Sequence, residues 1–590
     1  MFLHFKGGVL VVICLIFLLF SAVLHASVFD QLDRQIEEAL QDYQIPGLAV
    51  GIVREDQLIY AKAIGMRDWE QSLPVTTDTL FPIGSCTKAF TTYSFGSLVE
   101  EQRIGWDQRV VEVLPSFRLP DHTTTDRVTF RDLCSNQSGM PRHDFFWYNA
   151  TLTRQEFLER LPHLEPVCGL RKCFEYNNLM FLVTGMAMEK VTGKSWAEIV
   201  SDKILTPLKM VRTNWSLDEL QKSDNFAVPY TQKGAAICRM PFRDISFVRP
   251  AGGLNSSVKE MSYWLKFLLR GGAAIEQLYK PQIYFAADPK DPSRDRVGGY
   301  GLGWYVQDHR GYEYVSHDGG VDGFTSIVAL LPKQKIGVVV LCNKNLSPFP
   351  RFLALHLFDL LLGLSPTDQV KGGAKGVQTY QNGISEQKER EEAQRKMAPP
   401  SHTFEDYVGD YTHPGYGRAR ITLVDRSLHL IYNDITFHTE PWHYDVFRIC
   451  GESQDLHMSF IGKKIAFRGN IDGEIDELLV PFEARTAPIL FKREKRQEAH
   501  SHSYQQQFTG TYEIYNYIIT ITVREGVLIA NIPGQPTCEL IPNGVNEFAI
   551  KSYPGYSMNF VMNEDGTVRE VLLRQPYGIV FTAKPLFIGS

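Results

Sequence analysis

The chain has 590 residues, a formal net charge of −6, and 44% hydrophobic and 12% aromatic residues. That length predicts roughly three to four folded domains, and the mild acidity without a basic cluster excludes nucleic acid as an expected partner. The nine cysteines show no Cys/His spacing of a zinc site.

Lys6 precedes an apolar run from Val9 to Leu24, with Ala26 at a cleavage-like position. Residues 1–26 therefore read as a signal peptide or, because Leu24 suits cleavage poorly, as a retained N-terminal membrane anchor. The run is short for a full span. Both alternatives predict an extracytoplasmic body, periplasmic or secreted.

Leu32, Ile36 and Leu40 recur at helical spacing, and Pro46-Gly47 ends that helix. Leu48–Val53 and Leu58–Ile64 form a strand pair turning at Glu55-Asp56. Next comes Phe81-Pro-Ile-Gly-Ser-Cys-Thr-Lys88, a strand-like segment running into a helix of small residues. Ser85 and Lys88, three apart, share one helical face. A lysine whose pKa is lowered by burial can take the proton of a neighbouring serine, and a serine N–H at a helix start can face an oxyanion. The same spacing recurs at Ser256–Lys259 and Ser385–Lys388. Ser256 reads as a helix cap, and Ser385 as part of a solvated charged stretch.

Val128–Leu133 reads as a helix entry that closes at Ser138-Gly-Met-Pro141, and Tyr148–Leu164 as a loop and a helix. Cys168 and Cys173 are close enough to bridge in an oxidising compartment. Tyr176-Asn-Asn178 opens an apolar helix, Leu179–Val191, stopped by Gly193, and Lys194–Leu205 is a further helix before Pro207. Tyr176 could relay a proton and Asn178 could donate to a substrate carbonyl, or the pair could be a packed tyrosine beside a capping asparagine. From Tyr300 the period becomes that of strands: Gly301–Val306, Tyr312–Val315, Thr325–Leu331 and Ile336–Leu341. His317-Asp-Gly-Gly320 reads as a turn between them, whose glycines admit a ligand close to the backbone. The order predicts an α+β fold, an antiparallel sheet with packed helices and an all-helical insert, over residues 27–364.

Residues 365–401 have no apolar face and read as a linker. Two β-rich units follow, 402–494 and 505–590. Tyr407-Val-Gly-Asp-Tyr411 is echoed by Phe508-Thr-Gly-Thr-Tyr512, and Asn470-Ile-Asp-Gly by Asn563-Glu-Asp-Gly. The repeats predict two small barrels or two halves of one. His500-Ser-His502, between them, reads as a solvated connection.

Ser85-Cys-Thr-Lys88, Tyr176-Asn-Asn178 and His317-Asp-Gly319, in this order, resemble the serine beta-lactamase-like family of class C beta-lactamases, DD-peptidases (penicillin-binding proteins) and related esterases. Ser138-Gly-Met-Pro141, Pro250-Ala-Gly-Gly253 and Tyr300-Gly-Leu-Gly-Trp304 extend the likeness, which covers residues 28–362. The resemblance implies that Ser85 is acylated, Lys88 is its base and Tyr176 assists proton transfer. It further implies that Asn178 positions the substrate, that His317 and Gly319 line the cleft, and that the N–H groups of Ser85 and Gly320 bind the oxyanion. Substrates would be small peptides, esters or β-lactam-like molecules, and no metal or organic cofactor is implied. Asp318 stands where many relatives carry a hydroxyl. Facing the cleft it would repel an anionic ligand, so a neutral ester is expected to turn over faster than a penicillin. The tail resembles lipocalin-like extensions, which cover a cleft or drive homo-oligomer formation. The alternative is a non-catalytic cell-wall-binding or scaffold protein that keeps the fold.

Overall fold

The computed structural model describes residues 31–586 apart from 235, 288–296, 366–368, 397, 452–459, 495–501, 516, 545, 564 and 577–578. The signal or anchor segment, 1–26, and most of His500-Ser-His502 lie outside the described residues. The described residues fall into two compact units, one ending at Gln394 and the other beginning at Arg395.

The first unit is built on a nine-stranded antiparallel sheet. Its strands in chain order are β1 (Gly47–Arg54), β2 (Gln57–Asp68), β3 (Leu73–Pro74), β4 (Ile283–Phe285), β5 (Gly298–Tyr300), β6 (Tyr305–His309), β7 (Tyr312–Val321), β8 (Phe324–Leu331) and β9 (Ile336–Cys342). Their spatial order is β3-β2-β1-β9-β8-β7-β6-β5-β4. The hairpin from the start of the unit thus joins the late strands through β1 and β9, with Val50 opposite Val340.

Both faces of the central strands are covered, which is why β1 and β9 read as continuous apolar runs rather than alternating ones. On one face Leu48, Val50, Ile52, Val338 and Val340 pack against α1 (residues 31–42) and α5 (Phe349–Leu361). On the other, α4 (Val258–Arg270) sets Val258 at Gly51 and Leu265 at Gly337. The helical insert holds α2 (Thr87–Glu100) and α3 (Leu179–Thr192). Buried residues surround most of α2, Lys88, Phe90, Thr91, Thr92 and Phe95 among them, as expected of a central helix.

Two local expectations change. The segment taken as a linker contains a 25-residue helix, α6 (Gln369–Ala393). Its first turn supplies what the rest of the segment lacks. Val370 packs on the core, and its carbonyl accepts a 2.8 Å hydrogen bond from Tyr43 Oη. The cap of α4 is Ser257, which accepts from the Glu260 N–H, and not Ser256, whose hydroxyl instead pairs with that of Thr213 at 2.7 Å.

The second unit is two closed eight-stranded barrels, the first from Gly409 to Arg493 and the second from Gly510 to Pro585. The pairs Tyr411 with Arg493 and Tyr512 with Pro585 close them. The repeat seen in sequence is a repeat of bonds. Tyr411 Oη donates to the Tyr407 carbonyl at 2.8 Å, and Tyr512 Oη to the Phe508 carbonyl at 2.9 Å. The turns at Asn470 and Asn563 close with matching backbone bonds, Gly473 N–H to Asn470 and Gly566 N–H to Asn563, each 3.1 Å.

Candidate active site

Ser85 lies in a tight 3-10 turn, Gly84–Cys86, between a two-residue strand and α2. That strand, Phe81–Pro82, pairs with Asn255–Ser256, and the Ile83 N–H donates to Leu254 O at 2.9 Å. The first bond of the turn is donated by the Cys86 N–H to Ile83 O. The N–H groups of Gly84 and Ser85 precede it and have no partner within the turn. Ser85 itself is partly exposed.

Close backbone contact fixes the turn against β7. Gly84 has φ +50°, and a Cβ there would come within 2.6 Å of the Gly320 nitrogen. A Cβ on Gly319 would lie 2.0 Å from Ile83 O and 2.3 Å from Ser326 Oγ. These two glycines permit the approach that sets Ser85 beside Gly320. Cys86 Sγ donates to His317 O at 3.2 Å, and Ser326 Oγ donates to Ile83 O at 2.8 Å.

Lys88, one turn on, is fully buried. Its Nζ lies 3.0 Å from Ser85 Oγ, 2.8 Å from Asn178 Oδ1 and 2.9 Å from Ala251 O. Burial pushes its pKa well below that of an ordinary lysine, and Arg142 pushes the same way while Asp144 opposes. The amine sits 4.7 Å from the centre of the Tyr176 ring and 5.1 Å from that of Phe181. Burial raises the pKa of Tyr176, a neighbouring Tyr305 adds to this, and the nearby Ser85 hydroxyl works against it.

The two asparagines of the middle motif divide their work. Asn177 Oδ1 accepts from the Met180 N–H at 3.0 Å and so covers the start of α3. Asn178, at the cap position, makes no capping bond. Its side chain is left to receive Lys88, and its amide is oriented by Asp144, whose Oδ1 accepts from Asn178 Nδ2 at 3.2 Å.

His317 is a strand residue of β7, not part of a turn, because Asp318, Gly319 and Gly320 continue the ladder opposite Ile327, Ser326 and Thr325. It is buried against Tyr300 and Tyr305. Its Nδ1 lies 2.6 Å from the Asp318 carbonyl, which can only accept, so Nδ1 carries the hydrogen. Nε2 then accepts from Tyr300 Oη at 3.0 Å. With both nitrogens engaged, and burial and Lys88 pulling its pKa down to about 3, His317 is a neutral wall of the site.

Asp318 does not join the cluster. Strand alternation turns it away from His317 and Gly319, toward α5, where Arg351 forms an ion pair with it. The expected repulsion of anionic ligands by Asp318 therefore loses its ground.

Sequence reasoning missed Arg142, Asp144 and Ala251. Arg142 Nε donates to Asp144 Oδ2 at 2.6 Å, and the guanidinium lies 5.0 Å from the Tyr176 ring centre. The segments Ser138-Gly-Met-Pro141 and Pro250-Ala-Gly-Gly253 carried the signal, but nothing in them assigned a role to the next side chain or to a backbone carbonyl. The Cys168–Cys173 bridge is present. It closes the strap that leads into Tyr176, which is tied to the 136–141 loop through Arg171 N–H to Gln137 O and Glu175 N–H to Asn136 O. Among the described residues no group of His, Cys, Asp and Glu could hold a metal ion.

Comparison with known proteins follows the same division. A model described as Beta-lactamase matches residues 32–361, and one described as Domain of unknown function (DUF3471) matches 393–493. The chain is 28% identical over 434 residues to the Unguisins hydrolase ungD' of Aspergillus campestris, covering 69% of this chain and 80% of that protein. It is 26% identical over 336 residues to Protein flp of Staphylococcus aureus, 55% of this chain and 65% of that one. The octameric penicillin-binding protein homologue from Pyrococcus abyssi shares its fold, with a TM-score of 0.52 and 19% identity over 94% of this chain and 100% of that chain.

Proposed function

Since the chain belongs to the beta-lactamase family and is a serine hydrolase, we propose that it works through an acyl-enzyme on Ser85, cleaving an amide or ester in the manner of a DD-peptidase or esterase. One observation carries this, the trio of contacts around Lys88. Asn178 Oδ1 and Ala251 O are pure acceptors. A neutral amine spends its two hydrogens on them, so its lone pair points at Ser85 Oγ. Burial favours that form by pushing the pKa well below that of an ordinary lysine.

In the proposed reaction Ser85 Oγ passes its proton to Lys88 Nζ and bonds to the substrate carbonyl carbon. The N–H groups of Ser85 and Gly320 hold the oxyanion, which the close packing of Gly84 on Gly320 supports. Collapse expels the amine or alkoxide, protonated through Tyr176 and Lys88. Water then attacks the ester on Ser85, gives its proton back along the same path and releases the acid. Tyr176, high in pKa, remains a phenol that bridges proton transfer and is not a free phenolate.

We place this enzyme outside the cytoplasm. The charged and apolar pattern of residues 1–26 supports export, and the Cys168–Cys173 bridge suits an oxidising compartment.

Mass spectrometry after exposure to ester, D-amino-acid peptide and β-lactam panels tests the proposal. The expected result is a covalent adduct on the peptide carrying Ser85, lost in Ser85→Ala. Absence of any adduct from all three panels would favour the non-catalytic alternative.

A further inference from the structure

A pocket of about 420 Å³, part of it open to solvent, lies beside the Ser85 turn. Three separate segments place it there. Pro82, just before the turn, lines it. Gly252 lines it and follows Ala251, whose carbonyl holds Lys88 at 2.9 Å. Val321 lines it and follows Gly320, the second oxyanion donor of the proposed reaction. Gly252 keeps the passage between pocket and turn open. A Cβ there would lie 3.4 Å from Ile245 Cδ1 on the pocket wall and 3.6 Å from the carbonyl carbon of Gly84. Tyr176, Asn178 and His317 are not among the lining residues. The pocket therefore lies on the side of Ser85 away from the phenol that returns a proton to the leaving group.

The chemistry of the walls selects the guest. Trp215, Leu217, Ile245 and Val321 supply partly exposed apolar surface over a floor of buried Leu220 and Phe324. The polar side chains of the lining are engaged by the protein itself. Ser216 caps the short helix Leu217–Lys222, accepting from the Glu219 N–H at 3.0 Å. Asp244 accepts from the N–H and the hydroxyl of Ser246, at 2.8 and 3.0 Å. Asn255 Nδ2 donates to Asn214 Oδ1 at 2.7 Å. Arg243 donates through Nε to Asp322 at 3.1 Å and through Nη1 to Asn149 Oδ1 at 2.7 Å. A charged group entering here would leave water for partners already engaged, whereas an apolar one is driven in by the loss of its hydration. The bonds of Arg243 also fix the wall segment that carries Ile245, so the pocket is shaped before a ligand arrives.

We propose that this pocket receives the acyl side of the substrate, and that the substrate class is an amide or ester whose acyl group carries an uncharged aromatic or bulky aliphatic side chain. This rests on the acyl-enzyme reading of Ser85 and adds to it the substituent that the enzyme selects. Trp215 and Leu217 are the specificity-determining residues, because they form the part of the wall that belongs to neither the nucleophile turn nor the oxyanion strand.

A series of thioesters tests the proposal. Acetyl, hydrocinnamoyl and monoadipoyl groups are carried on methanethiol, a leaving group too small to compete for the pocket, and phenylethyl thioacetate moves the ring to the leaving side. The readout is kcat/KM relative to the acetyl compound, each value divided by its rate with hydroxide. In wild-type protein the hydrocinnamoyl ester should gain about ten- to hundredfold, as expected for burying a ring on apolar walls, while the other two stay near the acetyl value. Leu217→Trp fills the pocket and should remove most of that gain, and Trp215→Ala, which takes away a wall, should lower it about three- to tenfold. A wild-type gain below about threefold overturns the proposal, as does an equal gain for the charged chain or for the ring on the leaving side. A gain that neither variant moves, at an unchanged thermal midpoint, also overturns it. The wild-type series decides even where a variant does not fold. Failure of a small neutral fluorophosphonate to label Ser85 in the wild-type protein would sink the acyl-enzyme reading itself, whereas normal labelling with a flat series sinks only the role of the pocket.

Discussion

The hydrolase unit and the barrel unit bury different things. Around Ser85 the interior holds an amine, an asparagine pair and a histidine, each satisfied by a named partner. The barrels fill theirs by strict alternation, as in Ser427–Tyr432, where every second residue is buried and apolar. Their buried acid Asp410 is answered by Arg420, which also reaches Glu547 of the second barrel. Around Ser85 buried polarity thus converges on one reacting atom, whereas at Asp410 it joins two apolar shells. Polar groups are costly to bury, so such convergence marks a site rather than a scaffold.

That contrast can be broken by experiment. Ser85→Ala should reduce turnover at least about 10⁴-fold while the thermal midpoint changes little. A residual rate within tenfold of wild type would move the chemistry elsewhere. Phe491, fully buried among Tyr416, Tyr432 and Phe482, stands for the barrels. Phe491→Ala should cost about 3–5 kcal/mol in denaturant unfolding of the second unit. A change below about 1 kcal/mol would mean that the aromatic filling does not hold the barrel. Gly319→Ala should slow acylation about 10²-fold, since the new methyl meets Ile83 O and shifts the Ser85 turn. Unaltered acylation would show that the turn and β7 need not touch. Ser257→Ala, which removes only the cap of α4, should cost about 1 kcal/mol in stability and leave the acylation rate alone.

Much of this was legible from residue order. The hairpin, the apolar run of α3 and its stop at Gly193 follow from period and punctuation. The barrel repeat was visible because each copy must close its own ladder with the same turns. The three motifs were legible as chemistry, and the fold brings Ser85, Lys88, Tyr176, Asn178 and His317 together. What escaped depended on contacts distant in sequence. Nothing near Asp318 announces Arg351, 33 residues on, and only strand alternation in β7 reveals which way its carboxylate turns. His317 looked like a turn because two glycines follow it, yet those glycines serve the packing of Ile83 and Gly84. Ala251 contributes a carbonyl, which no side-chain pattern encodes. The helix Gln369–Ala393 has little apolar face of its own, and its docking at Tyr43 and Phe352 distinguishes it from a linker.

The pH dependence of Ser85 acylation by a non-ionising ester tests the central claim most directly, because the claim is that Lys88 is an amine and not an ammonium. Below the pKa of Lys88 the lone pair is protonated and the rate should fall about tenfold per pH unit; above it the rate should be flat. His317, neutral above about pH 3, should add no step between pH 5 and 8. The account predicts a plateau that already holds at neutral pH, with its acid limb well below the lysine range and absent in Lys88→Met. A rate that climbs steadily to pH 10 would contradict it, for Lys88 would then be charged where the enzyme is meant to work.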